Sequence, residues 1–374
     1  MELKQTIIQS LLNLSGWHTQ RHIVVFESDD WGAIRMPSRA IFDYLKTQGI
    51  SIGDHYGYDF NDTLASNDDL ELLMEVLSSV KDKNGNPAKI TLNTCVANPD
   101  FKRIKENDFQ TYYYEPFTET LKRYPHHDRS YELWKEGIKH GVFQPQFHGR
   151  EHLNAQMWMD LLQANDPQVR AAFEKEVYSM DVDIKGEPRT HVMSAFNVKC
   201  KEEYEFIFDS IKEGLSLFEQ LFGFRSESMI APCYTWDLEI EKEAFKHGVR
   251  IIQGGRAQRP SIYAKTQGVG IKRHYTGQKN KNGQVYLVRS CNFEPTQSSV
   301  YNADNCMKEI VNNFRAKKPA IISCHRLNFI GELNPTNRDN NLREFKKLLQ
   351  MIVTKYHDVE FMSSDELGKI IINQ

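Results

Sequence analysis

Seven short apolar runs rich in β-branched residues, at 22–28, 89–96, 141–147, 227–232, 249–253, 319–324 and 359–363, alternate with stretches of helical periodicity at 68–81, 202–222, 238–247, 303–316 and 341–356. Neighbouring parallel strands need long crossovers, and helices are the usual crossovers, so this alternation predicts repeated βα units around a parallel sheet. With seven such runs the expectation is an α/β fold, a distorted (β/α) barrel of about seven parallel strands. All 374 residues fit one domain, because barrels of this kind commonly run past about 250 residues. Two stretches exceed a minimal barrel, about 33–88 and 154–200, and loops of that length usually wall or cover a site. The segment 271–289, with Asn280-Lys281-Asn282-Gly283 between alternating flanks, reads as an appended β-hairpin.

Charged residues make up 26% of the chain at a formal net charge of -3, which gives no basic excess for a nucleic acid partner. Nothing approaches the run of about 18 apolar residues needed to span a membrane. The apolar stretch at 7–14 is broken by polar residues and reads as a short amphipathic helix rather than an export signal. Six cysteines are scattered without a C-x-x-C pair, so neither a zinc ribbon nor a disulfide framework is expected, and reduced thiols fit a cytoplasmic setting. The sequence carries no signal for oligomeric state.

The chemistry-bearing residues fall where apolar runs end. Val24-Val25-Phe26-Glu27-Ser28-Asp29-Asp30-Trp31-Gly32 ends in adjacent carboxylates. At the C-terminal mouth of a barrel, one of these can bind a metal while the other faces a substrate; a helix cap with a spare acid is the plainer alternative. Phe147-His148-Gly149-Arg150-Glu151-His152 places two histidines at i and i+4, a spacing that on one helical face brings both imidazoles to one cation. Thirteen histidines in the chain make a chance pair a competitor. Ile321-Ile322-Ser323-Cys324-His325-Arg326 delivers a histidine able to protonate a leaving group, or merely to cap its strand. Met229-Ile230-Ala231-Pro232-Cys233-Tyr234-Thr235-Trp236 ends in rings that face a ligand or close the barrel top.

In chain order these motifs resemble the polysaccharide deacetylase superfamily, the NodB-homology domain of carbohydrate esterases, from about residue 22 to the end. Its opening Thr-Phe-Asp-Asp-Gly is similar to Ser28-Asp29-Asp30-Trp31-Gly32, and its His-(Ser/Thr)-x-x-His to His148-Gly149-Arg150-Glu151-His152. Its Arg-x-Pro-Tyr is matched only by Pro232 and Tyr234, and its Leu-x-His by Ser323-Cys324-His325 with a serine replacing the leucine. The resemblance implies one divalent ion, Zn²⁺ foremost with Co, Ni, Mn or Fe as substitutes, on Asp30, His148 and His152. It implies Asp29 as base, His325 as acid, and the backbone N–H near Tyr234 as an oxyanion donor. The implied substrate is an acetylated sugar or glycan losing an N- or O-acetyl group, with Trp31, Arg150, Pro232 and Trp236 as candidate substrate contacts.

Two departures bear on this. Ala231 stands where the family has an arginine beside the base, for which Arg150, Arg256 or Arg326 are candidate substitutes in space, and no Asp-x-x-Asp-Trp partner follows 249–253. Three other readings stay open: a degenerate barrel that binds a glycan or partner without catalysis; a metal-independent glycosidase pairing Asp29 or Asp30 with Glu151; and a non-haem iron oxygenase, whose triad has the same donors.

Overall fold

The computed structural model describes residues 15–50, 52, 57–180 and 192–374. The helix expected at 7–14 lies outside them, as does part of the 154–200 insertion. At the centre is one sheet of parallel pairs, built from β1 (Ile23–Trp31), β2 (Ile90–Thr94), β3 (Phe143–Phe147), β4 (Ser228–Ile230), β5 (Ile251–Gly254), β6 (Val285–Val288), β7 (Cys291–Asn292), β8 (Ala320–His325) and β9 (Glu360–Met362). The pairing runs β6-β5-β4-β3-β2-β1-β8-β7, with β9 beside the first half of β1. The strand path is open, yet its two ends are successive pieces of one extended segment, 285–292. Between them the Arg289 N–H donates to the Gly254 carbonyl of β5 and the Ser290 N–H to the Ile321 carbonyl of β8. Both edges of the sheet therefore meet in this segment, as a (β/α) barrel requires.

Helices α1 (Asn67–Ser78), α2 (Ser130–Lys139), α3 (Tyr204–Phe222), α4 (Leu238–Lys246), α5 (Ala303–Arg315), α6 (Pro335–Lys355) and α7 (Ser364–Ile372) lie between or after the strands. Local signals set their starts. A reciprocal box of Ser66 and Asp69 opens α1. The Asn334 side chain caps α6 with Pro335 in its first turn, which is why that helix begins upstream of the expected 341. Among the described residues no helix is long and apolar enough to cross a membrane.

The segment 271–289 does hold a short hairpin, with Gly277 and Gln278 hydrogen-bonded to Tyr286, but it is not appended to the scaffold. Its turn is present, with the Gly283 N–H on the Asn280 carbonyl and Lys279 bridged to Val285. However, Val285–Val288 pairs in parallel with β5, while Lys272–Arg273 pairs with Ala257–Gln258. Val285, Tyr286 and Leu287 are all buried; a run apolar on both faces belongs in a covered parallel sheet, not in a half-wet hairpin.

Alternate side chains on a strand face opposite sides, and the two clusters that take side chains of β1 follow that rule. Val24 and Phe26 join the cluster beneath the helices, Phe26 lying edge-on to Phe345 at 5.1 Å. Ile23 and Val25 join Ile251, Val285, Leu287 and Ile321 in a second cluster sealed by Leu367 and Ile371 of α7. Continuing that inner alternation leads to Glu27 and Asp29 on β1, Arg289 beyond β6, and Ser323 and His325 on β8. The interior is thus apolar at one end and charged at the mouth, with Asp29 in register with His325.

The alternation breaks at the end of β1. Register with β2 shifts between Ser28 and Trp31, a bulge that re-aims the next side chain. Asp30 sits at φ 72° and Gly32 at φ 80°, a region that strains any residue but glycine. A Cβ on Gly32 would lie 2.2 Å from the Cys95 carbonyl oxygen. Gly32→Ala is expected to lower stability by at least about 2 kcal/mol in urea unfolding; an unchanged midpoint would mean that this bulge is not fixed by Gly32.

Candidate metal and acid–base site

The bulge aims Asp30 at two histidines from the end of β3. Asp30 Oδ1 is 3.4 Å from His148 Nε2 and 3.3 Å from His152 Nε2, and one ligand atom from each residue can be chosen within 4.8 Å of the others, all three residues being buried. The histidines do not share a helical face as their spacing predicts. They lie on a loop, because the Gly149 and Arg150 carbonyls accept from Val96 and Ala97 and hold the backbone extended past β3. The rings still approach to 5.0 Å.

His148 Nδ1 lies 2.9 Å from the Ile230 carbonyl, which can only accept, so Nδ1 is the donor of that contact and Nε2 is the ring atom turned toward Asp30. Burial lowers His152 to about 3 despite the opposing pull of Asp30, so this imidazole is neutral. Burial works against the Asp30 charge, but His152, His148 and Arg35 hold the carboxyl well below its ordinary range. Among the described residues His148 Nε2, turned toward Asp30, is buried without a hydrogen-bond partner, a costly state for a polar atom unless a ligand is meant to engage it. Two imidazoles and one carboxylate form an ordinary donor set for a divalent first-row ion, with positions left open.

Beside this triad stands a second carboxylate with its own support. Arg289 Nη1 and Nη2 donate to the two Asp29 oxygens at 2.8 and 2.5 Å, and Nε donates to Glu27 at 2.8 Å. Asn93 adds a donor to Asp29 at 2.8 Å. Burial would raise the Asp29 carboxyl, and Arg289 reverses this, so it stays ionised. Opposite, His325 turns Nε2 toward Asp29 at 3.7 Å and Nδ1 to Glu294 at 2.5 Å. Burial disfavours the imidazolium, yet Glu294 outweighs it and lifts His325 to about 9.

Asp29 is thus steadied by Arg289, not by Arg150, Arg256 or Arg326. Arg150 is taken up by Glu151 and Glu213, which also removes Glu151 as a partner for a metal-free glycosidase pair. Arg326 is fully buried on Asp62. Arg256 has a buried Nε without a partner among the described residues. Trp31 and Trp236, expected as stacking surfaces, are core residues at 1% exposure, hydrogen-bonded to Ser28 and Glu241. Pro232 is buried in the turn that presents Tyr234. The Tyr234 backbone N–H already donates to the Ala231 carbonyl at 3.0 Å, so it is not placed as an oxyanion donor; its hydroxyl, which accepts from Arg289 at 3.0 Å, reaches the site instead.

Arg289, Glu294 and Asn93 were not singled out from the sequence. Arg289 carried a readable signal, as the next inner position of Val285-x-Leu287-x-Arg289, but it was hidden by reading 271–289 as an appended hairpin.

No family model matches the sequence, and no curated protein matches it. Among solved structures the chain is similar mostly to polysaccharide deacetylases. One is a Mycobacterium smegmatis protein assigned as a polysaccharide deacetylase, 12% identical, covering 96% of this chain and 93% of that one at a TM-score of 0.45. Another is a Parabacteroides distasonis protein assigned as a glycoside hydrolase/deacetylase, 9% identical, covering 96% and 73% at 0.49. The 4-α-glucanotransferase of Thermococcus litoralis is 11% identical at a TM-score of 0.45, with 92% of this chain matched to only 40% of that one. At such scores these likenesses carry no weight for function, which rests on the chemistry of the site.

The Glu294–His325 pair gives a pH signature. With the folded pKa of His325 raised to about 9, its contribution to stability is complete below about pH 6.5 and lost as pH rises through about 9. In metal-free protein, wild type is expected to exceed Glu294→Gln by on the order of 3 kcal/mol near pH 6, the gap closing by about pH 10 in urea titrations. A pH-independent gap would remove this ion pair as its cause.

Proposed function

We propose that this chain is a divalent-metal-dependent hydrolase that removes an acetyl group from a sugar or glycan. The observation that carries the reading is the buried convergence of Asp30 with His148 and His152 beside two separately supported acid–base groups, Asp29 and His325. Asp30, His148 and His152 would hold the ion, Zn²⁺ being the best match to the donor set. When bound, it would polarise the acyl carbonyl and ease deprotonation of water at neutral pH.

The chain's own groups would then divide the proton transfers. Asp29, kept ionised by Arg289, accepts a proton from the attacking water. His325, kept protonated by Glu294, donates from Nε2 to the departing nitrogen or oxygen, so acetate and the freed amine or alcohol leave with protons balanced. The Tyr234 hydroxyl accepts from Arg289 and keeps its own proton for the carbonyl oxygen as negative charge develops there. Water addition and loss of the leaving group thus use Asp29 and His325 as opposite ends of one relay.

Purified protein is expected to hold close to one equivalent of metal. Less than about a tenth of an equivalent after growth with Zn²⁺ would overturn the metal reading. Asp29→Asn should retain that metal while acetate release from acetylated sugars falls by about 10²-fold or more. Full activity in this variant would refute Asp29 as the base, and activity that survives chelation would refute metal dependence.

A further inference from the structure

Asp30 uses its two oxygens differently. Oδ1 faces the histidines, while Oδ2 faces the Arg35 guanidinium at 3.4 Å. Arg35 is not a surface cation that has drifted onto a carboxylate. Its Nε donates to Asp62 at 3.0 Å, and Asp62 in turn accepts from Arg326 Nε and Nη2, both at 3.0 Å. Arg326 Nη1 donates to the Ala33 carbonyl at 2.7 Å, closing the chain back onto the backbone just past the strand that carries Asp30. The Asp62 and Arg326 side chains are fully buried, and Arg35 is 13% exposed. The Arg35 guanidinium also lies 4.6 Å over the Tyr58 ring, whose edge meets His325. This guanidinium is therefore fixed before any ligand arrives.

A carboxylate can give a cation one oxygen or chelate it with both, and chelation fills a position that a water or a carbonyl would otherwise take. A guanidinium on one oxygen favours the single-oxygen mode. It also sets a fixed positive charge beside the ion, opposing binding. We propose that Arg35 is a positioning residue of the metal centre, holding Oδ2 of Asp30 so that the carboxylate offers the cation Oδ1 alone and a coordination position stays open. The assignment rests on the metal reading of the preceding section.

The test uses wild type, Arg35→Met and Arg35→Lys, with Zn²⁺ affinity from chelator competition and the visible spectrum of the Co²⁺-loaded proteins. Arg35→Met is expected to bind Zn²⁺ about tenfold more tightly, because a like charge is gone. Its Co²⁺ bands should weaken as Asp30 chelates and the coordination number rises. Arg35→Lys, which keeps the charge, is expected to stay within about threefold of wild-type affinity. A merely structural lesion weakens metal binding instead. Weaker or unchanged affinity in Arg35→Met, or a wild-type Co²⁺ spectrum, would overturn the assignment while leaving the hydrolase reading intact. A wild type that binds neither ion would overturn that reading, and this assignment with it.

Discussion

The Arg289 guanidinium is the contact on which the mouth of the barrel depends. It lies among Glu27, Asp29, Tyr234 and Ser323 and makes hydrogen bonds to all four. Glu27 is fully buried and shares its other oxygen with Ser364 at the start of α7. Two buried carboxylates this close are tolerable only with a cation between them, and deleting one partner of such a cluster typically costs about 3–5 kcal/mol. The same contact that settles the core thus fixes the orientation and charge of Asp29.

The convergence of Asp30 with His148 and His152 rests on a different device. An unbroken β1 would send Asp30 away from the interior, on the parity of Val24 and Phe26. The bulge and the left-handed backbone at Asp30 turn it toward His148 and His152, and Gly32 makes room against Cys95. Local backbone strain is here exchanged for a buried convergence of donors. Two carboxylates adjacent in sequence consequently serve two separate sets of partners, Asp29 with Arg289 and His325, Asp30 with the histidines and Arg35.

Most of the frame was legible because strands and helices announce themselves by period. All seven apolar runs became strands, and the closing strand and helix fell where the motif order placed them. The donor triad and His325 were legible because each follows a strand end. What stayed hidden was long-range. Arg289 reaches Asp29 across 260 positions of sequence, and Glu294 reaches His325 across 31. Neither follows a run that had been recognised as a strand, since an Asn-Gly turn at 282–283 made the preceding segment look like an appended hairpin. Trp31 and Trp236 failed as surface candidates for the opposite reason: an aromatic at a strand end has a core to fill as readily as a ligand to meet.

The segment 285–292 joins the two edges of the sheet, pairing β6 with β5 and β7 with β8. Arg289 lies at the point where the chain changes partner, so it reaches Glu27 and Asp29 only when both edges are in place. Bringing those edges together costs loop-closure entropy, and the hydrogen bonds of Arg289 to the two buried carboxyl groups oppose that cost. The contact that joins the two edges of the sheet is therefore also the one that supports Asp29, so any change that loosens this segment reaches that carboxylate directly.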